Sequence, residues 1–195
     1  MKYILASKSP RRREILANLG VTFDVVCADV DESDGATDPR VLVERLSARK
    51  GEAVRNLLLS QGALDADTVI IASDTVVSVD GKILGKPHDK ADARRMLESL
   101  SGRAHEVVSG VALITADRTA VAHEVTEVVF DALDPDVLER YLDSAEPYDK
   151  AGAYAVQGFA STWISGLRGC YFNVVGLPVH RLCLLHEQLL GKKFP

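Results

Sequence analysis

At 195 residues and 47 % hydrophobic composition, the chain is long enough to bury a substantial core and too apolar to be a disordered segment. A net charge of −5 argues against nonspecific binding to duplex nucleic acid as the main role, and no apolar run approaches the ~18 residues of a membrane span. The three cysteines (Cys27, Cys170, Cys183) form no Cys-x-x-Cys pair and there is no signal-peptide pattern, so a reducing, cytoplasmic environment is expected. The five histidines show no metal-ligand spacing and read as ordinary core or surface residues.

In chain order, a short apolar run, Tyr3-Ile4-Leu5, reads as a first strand. A helical pattern of Ile15, Leu16 and Leu19 follows and stops at Gly20. Between them lies Ala6-Ser7-Lys8-Ser9-Pro10-Arg11-Arg12-Arg13, with Ser9 placed as N-cap and Pro10 as the first helical residue. Three arginines at a helix start oppose the helix dipole, which makes sense if an anion sits there, and phosphate is the natural candidate. A solvated basic turn is the competing reading.

Phe23-Asp24-Val25-Val26-Cys27 alternates as a second strand. Four carboxylates follow within six residues (Asp29, Asp31, Glu32, Asp34), either a solvated loop or oxygen ligands for a magnesium-like ion. Asp38-Pro39 opens a long helix to about Leu58, carrying Val41, Leu42, Leu46, Ala53, Val54, Leu57 and Leu58. Lys50, four residues from both Leu46 and Val54, falls on its apolar face, where it either snorkels or reaches into a cleft.

Thr68-Val69-Ile70-Ile71-Ala72 reads as a central strand that ends in Ser73-Asp74-Thr75 before Val76-Val77-Ser78-Val79 resumes. An aspartate between apolar stretches is placed as a general base, a metal ligand or a turn cap. Asp80-Gly81 predicts a hairpin, and its return strand leads to Gly85-Lys86-Pro87, where Lys86 is a candidate phosphate contact. A helix is expected over 89–100 and an antiparallel pair of strands over 105–115 and 119–130. Another helix starts at Asp134-Pro135. The segment 148–158, rich in small residues, offers a Gln157 amide that both donates and accepts, suited to the edge of a base. A short strand over 162–165, a loop through Gly166 and Gly169, and a last helix with Pro178 at its first position complete the chain.

Taken together these motifs resemble the Maf family of nucleotide pyrophosphatases, also described as septum-formation inhibitors. The resemblance spans nearly the whole chain in order. It runs through Ala6-Ser7-Lys8-Ser9-Pro10-Arg11-Arg12, Ser73-Asp74-Thr75-Val76-Val77, Gly85-Lys86-Pro87 and Leu100-Ser101-Gly102, then Lys150-Ala151-Gly152-Ala153-Tyr154-Ala155-Val156-Gln157-Gly158 and Val175-Gly176-Leu177-Pro178.

It implies a mixed α/β fold, a twisted sheet with flanking helices forming two lobes of one domain (1–195) around a central cleft. It also implies hydrolysis of nucleoside triphosphates between the α and β phosphates with a divalent metal (Mg or Mn), and a homodimer. The Gln157-Gly158 pair looks like the branch acting on dTTP and UTP; a sister branch acts on 7-methyl-GTP. Carried over, Asp74 would be the base that activates water. Ser7, Arg11, Arg12, Lys50 and Lys86 would hold the triphosphate, and Glu32 would help Asp74 place the metal. Arg12, Thr75 and Gln157 match positions tied to substrate choice. Arg13 is expected to be peripheral, and Ser109, where the family often has threonine, is not connected to catalysis. A regulator of septum formation that acts by binding, and a pyrophosphatase preferring 7-methyl-GTP or CTP, stay open as alternatives.

Overall fold

A computed structural model describes all of residues 1–195. The order of elements is β1 (Lys2–Leu5), α1 (Pro10–Asn18), β2 (Phe23–Val25), α2 (Pro39–Ser60), β3 (Thr68–Val79), β4 (Lys82–Leu84) and α3 (Lys90–Leu100). There follow β5 (Ala104–Ile114), β6 (Thr119–Phe130), α4 (Pro135–Leu142), β7 (Ile164–Arg168), α5 (Tyr171–Val175) and α6 (Val179–Leu190), with 3-10 turns between α4 and β7. The seven strands form one mixed sheet in the order β2-β1-β3-β5-β6-β7, with β4 on β3. The β1 strand runs parallel to β2 and β3, and every other pairing is antiparallel. This is the mixed α/β sheet with flanking helices that the motifs implied.

Side chains alternate across a strand, and here the alternation assigns each helix its face. Ile4, Ile70, Ala72, Ala112 and Ile114 point to one side, where Val54 and Leu58 of α2 cover them. Tyr3, Leu5, Val69, Ile71, Val111 and Leu113 point to the other, covered by α1 and α6 through Ile15, Leu16, Leu182 and Leu185. A further cluster forms around the far ends of β3, β5 and β6, where Val77, Val79, Val107, Val128 and Phe130 meet Leu97, Leu100, Leu138, Tyr141 and Trp163. The β3 strand therefore serves packing groups at both of its ends.

The α2 helix sits unusually low on the sheet because small residues line the contact. A Cβ on Gly110 of β5 would overlap the carbonyl of Val43, and one on Gly51 would overlap the tip of Ile114. Close approach of this kind lets a side chain on α2 reach the middle of the sheet. The buried stripe is Val43, Leu46, Ser47, Gly51, Val54 and Leu58; Val41, expected on this face, is exposed, because the stripe turns with the helix period.

Five boundaries differ from the sequence expectation, the first being β2, which ends at Val25 rather than Cys27. The β3 strand runs unbroken through Ser73-Asp74-Thr75, because β5 pairs with it continuously from Ile70 to Ser78. The 162–165 strand is displaced: a 3-10 turn, Phe159–Trp163, precedes β7, which extends through Gly166 to Arg168 against β6. The stretch read as loop contains α5, a helix of only five residues and too short to give a period. Pro178 is the N-cap of α6 rather than its first helical residue.

Candidate active site

The strand pairings leave a notch in the sheet. On one flank β3 pairs with β1 over 68–71 and with β4 over 77–79, so residues 72–76 are partnered only by β5 on the other flank. A cleft of about 660 Å3 opens over this notch, bounded by the β1–α1 loop, α2, the Gly85-Lys86 loop and the 149–157 segment. All nine residues singled out from the sequence line it: Ser7, Arg11, Arg12, Glu32, Lys50, Asp74, Thr75, Lys86 and Gln157. Arg13 does not. The lining carries six Lys or Arg side chains against four carboxylates, a local excess of positive charge in a chain of net −5.

Strand alternation divides the notch chemically. Asp74 has the parity of Ala72 and so faces α2, where Lys50 Nζ lies 2.6 Å from its Oδ1. The same ammonium is 2.9 Å from Glu32 Oε1. Lys50 thus reaches off the apolar stripe into the cleft, and one cation bridges a carboxylate on the central strand and one on the acidic loop. Burial acts to raise the Glu32 pKa, but the hydrogen bond and charge of Lys50, with Lys86 and Arg12 nearby, outweigh it and hold the carboxyl below its usual value. The rest of the acidic stretch turns elsewhere: Asp34 pairs with Arg45 and Arg49, Asp31 accepts from Ser33, and Asp29 meets Lys8.

Ser73 and Thr75 face the opposite side, toward α1. Arg12 enters there as a clamp: its Nε donates to the Gly176 carbonyl at 2.7 Å, Nη1 to Ser7 Oγ at 3.2 Å and Nη2 to Thr75 Oγ1 at 3.1 Å. A guanidinium has five N–H donors, so two remain for a ligand. Burial lowers the Arg12 pKa from its ordinary value, with the Asp74 charge opposing. Gly176, at φ +121°, turns its carbonyl toward this cluster, where Ser73 Oγ also donates to it at 2.9 Å. Behind Thr75 stands Ser109, its Oγ 2.8 Å from Thr75 Oγ1 and donating to the Asn173 carbonyl at 2.9 Å. Ser109, expected to stand apart from catalysis, thus backs the site, and the Gly176 carbonyl joins it without any signal of its own in the sequence. The strand register, which places Ser109 opposite Thr75, was the signal for the first.

Of the remaining candidates, Lys86 and Gln157 have no side-chain partner and Arg11 faces a carboxylate. Ser9 is the N-cap of α1 without a side-chain capping bond, and its N–H donates to Ser7 Oγ at 3.2 Å. Lys86 is exposed and makes no ion pair, and the Gln157 amide has no hydrogen-bond partner. Arg11 lies 3.8 Å from Asp149 across the cleft mouth. No group of three or more His, Cys, Asp or Glu side chains is gathered for a metal. Asp74 on the cleft floor and the exposed Glu32 on the acidic loop both contact the Lys50 ammonium, and they are the two carboxylates that could turn to a cation here. That suits an ion of the magnesium kind, which takes one or two carboxylates and completes its shell from phosphate and water.

Such a notch defines an α/β protein whose cleft sets a buried carboxylate, Asp74, beside several guanidinium and ammonium groups. The Maf-like protein family matches residues 2–189, and the chain belongs to the Maf family. It is 49 % identical over 182 residues to the dTTP/UTP pyrophosphatase of Desulforamulus reducens, covering 92 % of each chain. It is 48 % identical over 179 residues to the protein of the same name from Symbiobacterium thermophilum, covering 91 % of this chain and 89 % of that one. Among solved structures it is similar to the Staphylococcus aureus Ham1 protein, with a TM-score of 0.50 at 16 % identity, over 84 % of this chain and 80 % of that one. That likeness concerns the fold alone. No helix is long and apolar enough to cross a membrane.

Proposed function

We propose that this protein hydrolyses dTTP and UTP between the α and β phosphates, releasing the monophosphate and pyrophosphate. The observation that carries the reading is the Asp74–Lys50 contact at 2.6 Å, on the floor of a cleft whose other walls supply Arg11, Arg12 and Lys86. The names of the relatives support the choice of pyrimidine triphosphates.

In this reading Asp74 accepts a proton from the attacking water as the water oxygen bonds to phosphorus. The α–β bridging oxygen leaves with the pyrophosphate, and the negative charge that develops on it is met by the cations of the cleft. Ser7, which already accepts from Arg12 and the Ser9 N–H, keeps its own hydroxyl proton to donate to a phosphate oxygen. Gln157 offers one donor and one acceptor to the base, and Thr75 with Arg12 shapes the floor beneath it. Glu32 and Asp74 would hold Mg or Mn, whose charge when bound would screen the phosphates and favour departure of the pyrophosphate. The working form is proposed to be a cytoplasmic homodimer in which each chain is one domain of two lobes.

The test is hydrolysis of a panel of dTTP, UTP, CTP, GTP and 7-methyl-GTP with magnesium or manganese, with pyrophosphate and orthophosphate assayed separately. Pyrophosphate from dTTP and UTP in preference to the others is the expected result, lost on chelation and restored by the metal. Orthophosphate would mean cleavage at another bond and would refute the mechanism. Tight binding of a nucleotide without turnover would refute hydrolysis and leave a regulator that acts by binding.

A further inference from the structure

One side chain outside the cleft stitches the 146–159 segment shut. Glu146 Oε2 accepts from the backbone N–H of Phe159 at 3.0 Å, across thirteen residues of chain. Its own backbone is fixed at both polar groups: the N–H donates to Ser144 Oγ at 3.2 Å, and the carbonyl accepts from Lys150 Nζ at 2.8 Å. The buried Tyr141 hydroxyl stands 3.3 Å from Glu146 Oε1 and 3.0 Å from the Ala153 carbonyl, tying the clip to the middle of the same segment. Gly158 has its Cβ position filled by the Glu146 carboxylate. The carboxylate therefore touches both residues that follow Gln157, while Gln157 itself faces the cleft with no side-chain partner to aim it.

We propose that Glu146 is a positioning residue for substrate choice: it holds the Gly158-Phe159 backbone, and through it sets where the Gln157 amide meets the base. The inference rests on the reading of Gln157 as the base contact. An amide held only by its backbone is as well placed as that backbone is, and misplacement by a fraction of a hydrogen-bond length forfeits the contact. Asp74 and Lys50 sit on β3 and α2 and are held independently. Releasing the clip should therefore weaken recognition of the base while leaving the chemistry intact.

The experiment compares kcat and KM for dTTP and CTP in Glu146→Ala, Gly158→Ala, Glu146→Gln and Gln157→Ala. Glu146→Ala removes the clip, and Gly158→Ala puts a methyl group where the carboxylate sits. Both should raise KM for dTTP roughly tenfold, the size of one lost hydrogen bond, with kcat within about twofold. Their dTTP-to-CTP ratio of kcat/KM should fall to that of Gln157→Ala. Glu146→Gln keeps a carbonyl oxygen for the Phe159 N–H and should restore most of the ratio. A merely structural role would lower the amount of active enzyme, reducing kcat equally for both nucleotides and leaving the ratio unchanged. That result in both clip variants, alongside an altered ratio in Gln157→Ala, would overturn the proposal and leave Gln157 as base contact. An unaltered ratio in Gln157→Ala would remove the reading and the proposal together.

Discussion

Lys50 Nζ lies 2.6 Å from Asp74 Oδ1, joining the long helix to the centre of the sheet through residues 24 apart in sequence. The pair is two-thirds of a triad, since Glu32 shares the ammonium. Asp74→Asn keeps the shape and removes the proposed proton acceptor, so kcat should fall by about 10²–10⁴ while nucleotide affinity changes little. Lys50→Met leaves two carboxylates without their cation and should lower kcat/KM by about 10- to 100-fold. The double variant should be little worse than Asp74→Asn alone, because the two residues act as one unit. Steady-state kinetics with calorimetric binding decides this; additive losses would mean that the contact is incidental.

Arg12 spends three of its donors on Gly176, Ser7 and Thr75. A lysine keeps the charge but lacks the planar fork. Arg12→Lys should therefore raise KM by about tenfold and also lower the melting temperature, since the Gly176 carbonyl and Thr75 lose a partner. An unchanged melting temperature with a raised KM would show that the clamp serves only the ligand.

The low seating of α2 separates two glycines. A methyl group on Gly110 would meet the rigid backbone of Val43, whereas one on Gly51 would meet the mobile end of Ile114. Gly110→Ala should destabilise by about 3 kcal/mol and Gly51→Ala by about 1 kcal/mol. Gly110→Ala should also disturb Lys50, by lifting the helix that carries it. Denaturant unfolding with activity on the same samples tests both statements.

His105 is buried, its Nε2 2.7 Å from the Tyr154 hydroxyl and its Nδ1 without a partner. Burial lowers its pKa to about 4 from 6.5. Between those values the unfolded chain binds a proton that the folded chain does not, so stability falls as pH drops through this window and the loss levels off below pH 4. The contribution is fully present above pH 6.5 and amounts to about 3 kcal/mol at most. His105→Gln should flatten that part of the stability-versus-pH curve relative to the parent. Urea unfolding between pH 4 and 7 measures it, and parallel curves would mean that the imidazole protonates freely in the folded state.

The site was more legible in the sequence than the path of the backbone through it. Lys50 stands out by sitting on an apolar stripe, and the charge opposed to the dipole at α1 singles out Arg11 and Arg12, both of which line the cleft. In the sequence Asp74 looks like a strand end, because a carboxylate interrupts an apolar run. The strand continues because the interruption falls in the notch, where one flank of β3 is open and an adjacent lysine neutralises the charge. Ser109 and Gly176 were not read as site residues because their roles depend on register and on a positive φ, neither of which has a local pattern. Glu146 has the same character: its partner lies thirteen residues on, and no spacing rule links them.

Strand β3 is continuous across the stretch where its other flank is open. With β5 running beside it from Ile70 to Ser78, the two walls of the notch are spliced by a pair of unbroken strands rather than by a hinge. The gauge of the cleft is therefore fixed before any nucleotide arrives, and adaptation is confined to the loops at its mouth. Amide exchange should be slowest along residues 70–78 of β3 and faster in the acidic loop and the Gly85-Lys86 loop, so the protein is stiff beneath the cleft and compliant at those parts of its rim.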